Sequence, residues 1–344
     1  MIYIVNPLWD RRWDELVDWH PRASAFHQRG WVETLNQTYG YDPFVLTTTP
    51  PGQSLHNGIV LCRVVSWLTG TRLVSLPFAD HCEPLLRDPG DFAEFTNWLR
   101  AECDRQAWKY VELRPRACDE KSGVFTQNQT YFLHTLDLRP TLEQIFRSLH
   151  KDSIQRRIRR AERDRLSYET GRSEQLVQKF YRILVMTRKR HQVPPQPRAW
   201  FRNLVECMGD KVQIRLACKD GTPIAGLLTL RHRSSVVYKY GCSDERFHYL
   251  AGMPFLFWKL IEESKASDVE EIDFGRSDLH NQGLITFKDR FGTTKRLITY
   301  FRYPRVSTLK TTSQWGSQAM RQLLSMVPDA LLPTVGRVLY RHVG

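Results

Sequence analysis

Residues 270–304 read EEIDFGRSDLHNQGLITFKDRFGTTKRLITYFRYP, and the rest of the chain is organised around this stretch. It opens as a strand, because Ile272 and Phe274 alternate with polar neighbours. Gly275 is expected to turn the chain sharply. Arg276, Asp278, His280 and Asn281 then form a polar loop, with Gly283 as a second flexible point. Leu284 to Phe291 reads as a short amphipathic piece carrying Lys288. Gly292 ends it, and Leu297 to Tyr303 is another strand. A strand end that delivers Asp, Arg and Lys into a loop is a common support for a polar site. The alternative is a solvated loop with ordinary surface charges.

Two pieces of this stretch occur in order. Asp273-Phe274-Gly275-Arg276-Ser277 is followed by Phe287-Lys288 and Phe291-Gly292. Together they resemble the closing signature of FemAB-like, or BioF2-like, acyltransferases of the GNAT superfamily. The resemblance extends loosely over residues 20–305. It implies an α/β fold of α+β type: two tandem GNAT-like domains, each a mixed, mainly antiparallel sheet flanked by helices.

The chain has 344 residues, enough for two ordinary domains, and its apolar content suits packed cores. Lys and Arg number 50 against 37 Asp and Glu, a net charge of +13. That excess favours a polyanionic partner: nucleic acid, an anionic membrane face or a phosphorylated substrate. Seven cysteines are scattered without a CxxC pair, so no disulfide framework and no zinc site is expected. No P-loop and no Rossmann glycine fingerprint is present. The first residues lack a basic leader and cleavage site, and no apolar run reaches spanning length. A cytoplasmic protein, peripheral at the inner face of the membrane, is the expectation.

The pattern along the chain occurs twice. Strands at 44–48, 58–67 and 73–77, a helix at 91–106 and a strand at 110–113 are matched by strands at 212–217, 225–231 and 236–240, a helix at 254–264 and a strand at 271–274. The offset is about 160 residues, which reads as an internal duplication. The expected division is 1–145, 146–305 and a tail, 306–344. Residues 149–166, LHKDSIQRRIRRAERDRL, form the linker. Ile154, Ile158 and Ala161 share one helical face. The arginines on the remainder, Arg156 and Arg160 among them, suit phosphate contacts. A solvated helix with intrahelical ion pairs is the plainer alternative. FemAB-like proteins resemble this point too, with a basic helix opening the second domain.

Acyl transfer to an amine needs a proton acceptor, oxyanion stabilisation and aligned substrates. The resemblance implies a substrate-binding and transfer role for Lys288; by itself it reads as a surface lysine. Asp278 is the candidate proton acceptor or amine orienter, with Asp273 as the other choice. Arg276 suits a phosphate or carboxylate. Tyr238 and Tyr240 alternate along one strand and so are expected on one face, either in a cleft or in the core. Asp80 and His81 lie in a Leu-Pro-Phe-x-Asp-x-Cys-x-Pro-Leu run similar to the family's, and are acceptor-site candidates. The loop Arg246–Gly252 misses the first glycines of the acetyl-CoA pyrophosphate pattern.

The expected reaction is transfer of an activated acyl or aminoacyl group to an amine of a phosphorylated or lipid-linked cell-envelope precursor of peptidoglycan or exopolysaccharide. The donor is aminoacyl-tRNA or acyl-CoA, with no tightly bound cofactor. An N-acetyltransferase using acetyl-CoA on a small molecule, and a nonenzymatic basic RNA-binding module, are the alternatives. The tail is expected to form two amphipathic helices over 317–343, docked on the protein or resting on anionic lipid.

Overall fold

The structure, a computed structural model, describes residues 1–117, 124–304 and 332–343. The chain forms two compact units. The first holds the described residues among 1–131, 297–311 and 338–344, and the second those among 132–296 and 312–337.

The first unit runs β1 (Tyr3–Val5), α1 (Arg11–Trp19), α2 (Arg29–Tyr39), β2 (Asp42–Thr47), β3 (Ile59–Val64), β4 (Arg72–Val74), α3 (Pro89–Arg105) and β5 (Tyr110–Leu113). Neighbouring pairs from β1 to β4 are antiparallel, and β4 pairs with β5 in parallel. Strand alternation points Ile59, Leu61 and Leu73 at α3. There they pack with Phe92, Phe95, Leu99 and Cys103, which recur at helical spacing along α3. Gly58 is required, since a Cβ there would lie 2.8 Å from Val45 and 3.1 Å from the Trp13 ring.

Strand β6 (Thr126–Asp137) leads into the second unit, which continues with α4 (Leu142–Ser148), a π-helical turn at Lys151–Gln155, α5 (Arg156–Arg163), β7 (Ser167–Gly171), α6 (Glu174–Arg190), α7 (Arg198–Met208), β8 (Val212–Lys219), β9 (Thr222–His232), β10 (Ser235–Ser243), α8 (Gly252–Ala266), β11 (Glu271–Asp278) and α9 (Gln282–Asp289). β12 (Thr294–Tyr303) and α10 (Leu332–Val343) follow. In the second unit the strand order is β6-β11-β10-β9-β8-β7. The β7–β10 pairs are antiparallel and β10–β11 is parallel. β8-β9-β10-α8-β11 thus repeats β2-β3-β4-α3-β5, the duplication read from the sequence.

Local signals set these ends. Ser173 Oγ accepts the Leu176 N–H at 3.3 Å and starts α6. Arg188, Lys189 and Arg190 complement the helix dipole in its last turn. The π-helical turn, α5 and α8 cover one sheet face through Ile154, Ile158, Phe255, Phe257 and Leu260. On the other face Phe180 of α6 fills the space above Gly226.

Three expectations change. The linker is not one helix from 149 to 166, because the π-helical turn interrupts it before α5. Gly275 does not end its strand: β11 runs on to Asp278 with Gly275 at φ +72° inside it. The division falls at Tyr131/Phe132 rather than at 145, since Leu136, Leu138 and Ile145 enter the second core. The strand Leu297–Tyr303 also belongs to the first unit, where Phe301 pairs with Leu113. Of the tail, α10 is a helix, and its last residues are held by the first unit: Tyr41 donates its hydroxyl to the Tyr340 carbonyl at 2.6 Å. The other helix expected from 317 lies largely outside the described residues.

Candidate active site

β10 and β11 pair only over Ser235–Val237 and Glu271–Asp273. Beyond that, each strand carries an irregularity. On β11 the buried Asp273 carboxylate accepts the Gly275 N–H at 2.6 Å. Lys288 reaches back from α9 and donates to the carbonyls of Gly275 at 2.8 Å and Arg276 at 3.0 Å. It is 2 % exposed, so it is not a surface lysine. Phe287 and Phe291 hold α9 against Phe257, at ring distances of 5.7 and 4.9 Å. The result is a fixed positive charge in the second unit's interior. Its reach is visible at His134, whose imidazole is pushed down to about 4 by burial and then by Lys288, against the upward pull of Asp289.

Asp278 is exposed at the end of β11, where Oδ1 accepts the His280 N–H at 3.0 Å. Arg276 is half-buried one residue past the glycine. Both stand on the segment that Lys288 ties down.

On β10 the register slips between Tyr238 and Tyr240, leaving Lys239 as the extra residue of a bulge. A one-residue slip reverses which face each side chain takes. Tyr238 packs on the α8 side, 4.8 Å from the Phe257 ring. Tyr240 packs on the α7 side, 5.1 Å from Phe201, with its hydroxyl accepting the Trp200 indole N–H at 3.0 Å. The two tyrosines therefore do not share a face, and Tyr240 is a core residue.

A cavity of about 230 Å³ lies at the N-terminus of α8. Its walls include Ala225, Phe247, Gly252 and Phe287, with Arg157, His248 and Arg290 as basic groups. Ala251 takes φ +61°, and a Cβ at Gly252 would stand 2.9 Å from that of Ala225, so only glycine fits. Gly252 is thus required by the packing of α8 on β9. Free N–H groups at a helix start, together with flanking guanidiniums, make a phosphate-binding arrangement. His248 Nε2 lies 2.9 Å from Ser243 Oγ, and burial followed by Arg190 lowers its basicity.

The linker arginines divide differently from the sequence reading. Arg156 is exposed and paired with Asp152 at 3.0 Å. Arg160 pairs with Asp164 at 3.4 Å and lies over the Tyr249 ring. Arg157, beside the buried Ile158, is the one that lines the cavity. Helical phase identifies it once Ile154 and Ile158 are known to face α8. Arg290 carried no sequence signal beyond its place between Lys288 and Phe291.

Asp80 and His81 lie in the first unit. The Asp80 carbonyl accepts the Tyr300 hydroxyl at 2.7 Å. His81 is buried edge-on to Phe26 at 5.3 Å. The preceding loop is built around Arg114, which donates to the carbonyls of Leu76 at 3.1 Å and Ala79 at 3.4 Å. Leu76 and Phe78 both take positive φ there. Burial would raise the Glu112 carboxyl, but Arg114 and Arg302 outweigh it and hold it low. Among the described residues no group of His, Cys, Asp and Glu is placed to hold a metal.

Residues 148–288 match the family model described as an acetyltransferase (GNAT) domain. Comparison with curated proteins gives no match. Among solved structures, FemX superposes with a TM-score of 0.68 at 13 % identity, covering 88 % of this chain and 97 % of that one. The C-terminal domain of a protein named as a lysylphosphatidylglycerol synthetase from Agrobacterium fabrum gives 0.58 at 13 % identity, over 92 % and 94 %. A tandem GNAT protein from the clavulanic acid biosynthesis pathway gives 0.53 at 11 % identity, over 88 % and 98 %. Residues 148–288 therefore match a GNAT acetyltransferase domain, and the chain shares the fold of FemX and of a tandem GNAT protein, with the repeated β-β-β-α-β unit as its common element.

Proposed function

We propose that the chain transfers an activated acyl or aminoacyl group to an amine of a cell-envelope precursor of the peptidoglycan or exopolysaccharide kind. The observation that carries this reading is the basic cavity at the start of α8. A donor with phosphate groups, acyl-CoA or the 3′ end of an aminoacyl-tRNA, is the ligand that Arg157, Arg290 and the α8 N–H groups suit. A lysylphosphatidylglycerol carries an aminoacyl group on a lipid headgroup. A relative with that name, and the FemX likeness, favour an aminoacyl donor and an envelope acceptor.

In this reading the amine attacks the donor carbonyl, forms a tetrahedral oxyanion and expels the leaving group. Lys288 supplies fixed positive charge where β11 leaves β10, favouring the oxyanion. Asp278 takes the amine proton or orients the amine, and Arg276 holds an acceptor phosphate. Tyr238, facing α8, protonates the leaving group. Asp80 and His81 are acceptor-side candidates of the first unit. N-acetyl transfer from acetyl-CoA is the second reading, favoured by the family match over 148–288.

A screen with acetyl-CoA, aminoacyl-tRNA and lipid-linked precursors, read by thermal shift and mass spectrometry, separates the two. Arg157→Glu and Arg290→Glu should each raise the donor KM about tenfold or more with a smaller effect on kcat. Arg156→Glu is the control and should change little. Equal donor KM values in all three variants would remove the cavity from the reaction. CoA retained through purification would establish the second reading.

A further inference from the structure

Between β3 and β4 of the first unit the chain reads Val65-Ser66-Trp67-Leu68-Thr69-Gly70-Thr71. The backbone of this turn is pinned. Ser66 Oγ accepts the N–H groups of Leu68 at 3.2 Å and Thr69 at 2.9 Å. The Gly70 N–H reaches the Ser66 carbonyl at 2.8 Å, with Gly70 at φ +82°. Arg72 donates to Thr69 Oγ1 at 2.7 Å and to the His342 carbonyl at 2.7 Å. Thr69 Oγ1 donates to that same carbonyl at 3.0 Å, and Ser66 Oγ lies 2.9 Å from His342 Nδ1. The end of α10 is thereby locked to the turn.

The side chains do the opposite of the backbone. Val65 is 66 % exposed, Trp67 86 % and Leu68 59 %. The Trp67 ring stands edge-to-face with the His342 ring, 5.7 Å away. Val338, one helical turn before His342 on the same face, is 57 % exposed. A turn free to move would fold these groups inward; this one is held so that they stay in water. Such a cluster marks an interaction site.

The charge around it selects the partner. Lys109 runs its stem past Gly70, 3.5 Å from where a Cβ would be, and its residue is exposed. Arg341 is exposed on α10 beside Val338. Neither Val65–Thr71 nor Leu332–Val343 contains an acidic residue. Indole and aliphatic groups with a basic flank suit the interface of an anionic bilayer, where the ring lies at headgroup depth and the cations meet phosphate.

We propose that the Trp67–Leu68 turn is a membrane-docking tip that enters the headgroup layer of an anionic bilayer, with Lys109 and Arg341 against the lipid phosphates. This is independent of which donor and acceptor the enzyme uses. Pre-ordering of the turn lowers the entropy lost on insertion.

The test is flotation of the full chain with vesicles of phosphatidylcholine alone or mixed with phosphatidylglycerol. The wild-type chain should float with the anionic vesicles. Trp67→Ser with Leu68→Ser should lower partitioning about tenfold or more at an unchanged melting temperature. Lys109→Glu with Arg341→Glu should remove the preference for phosphatidylglycerol. Absence of wild-type flotation, or equal flotation of the serine variant, overturns the proposal. Trp67-dependent self-association without vesicle binding also overturns it and assigns the surface to a second copy of the chain.

Discussion

The ammonium of Lys288 donates to the carbonyl of Gly275 at 2.8 Å, joining α9 to the one left-handed residue of β11. The second bond, to Arg276 at 3.0 Å, holds the next peptide. A single buried side chain therefore supports the segment that carries Arg276 and Asp278, and supplies charge beside it.

Lys288→Met should act on both levels. Transfer should fall by about 10²–10³, as for loss of an oxyanion-stabilising group, while binding to a polyanion persists. Two strand carbonyls also lose a buried donor, which costs about 1–3 kcal/mol in denaturant unfolding. Full transferase activity in a folded Lys288→Met protein would exclude a catalytic part for this residue.

Gly241 and Tyr238 should be coupled through space. A Cβ at Gly241 would fall on the Tyr238 hydroxyl. Gly241→Ala should destabilise the chain by about 1–3 kcal/mol, as overpacking does. In a Tyr238→Phe background the cost should shrink, because the hydroxyl is gone. A double-mutant cycle reads this directly, and strict additivity would mean that the bulge relaxes to make room.

His134 should make stability pH-dependent. Its folded imidazole titrates at about 4 through burial and Lys288, with Lys295 adding and Asp289 opposing. The unfolded imidazole titrates near 6.5. Between these values the unfolded chain binds a proton that the folded chain does not, so the stability is present above pH 6.5 and is lost as pH falls. The loss approaches about 3 kcal/mol near pH 4. His134→Phe should flatten this part of the profile in urea unfolding at pH 7 and pH 4.5; parallel profiles would show that other groups set the slope.

Cys82 should be chemically inert. Burial, then the Glu83 charge, raises its thiol above the usual value. His27 lies 3.6 Å away, yet its Nδ1 accepts the Ser24 N–H and its Nε2 lies 2.8 Å from the Glu83 carbonyl. Cys82→Ala should keep activity within about twofold, since a thiol without thiolate character is no nucleophile. A large loss of kcat with an unchanged melting temperature would contradict this.

Much of the architecture was already present in the residue pattern. Leu176, Phe180 and Leu184 recur at helical spacing within α6, and Lys219-Asp220-Gly221 has the residue chemistry of the turn that joins β8 to β9. The interest of Lys288 came from the family resemblance carried by Asp273–Ser277, Phe287-Lys288 and Phe291-Gly292, whereas apolar period and turn chemistry are local properties and so were legible. The repeat was visible for the same reason, as an order of elements.

What the pattern left undecided depended on neighbours in space. Tyr238 and Tyr240 have the spacing of one face, but the β9 register inserts Lys239 as a bulge and sends them to opposite faces. The linker arginines are alike in sequence; the π-helical turn and the seating of Ile154 and Ile158 on α8 turn Arg157 to the cavity and leave Arg156 in water. Lys288 resembles a surface lysine until the Gly275 and Arg276 carbonyls are brought to it. Local pattern sets which element forms. Parity, helical phase and the pairing of a buried charge are set by hydrogen bonds and packing to residues distant in the chain, and only the tertiary structure supplies those.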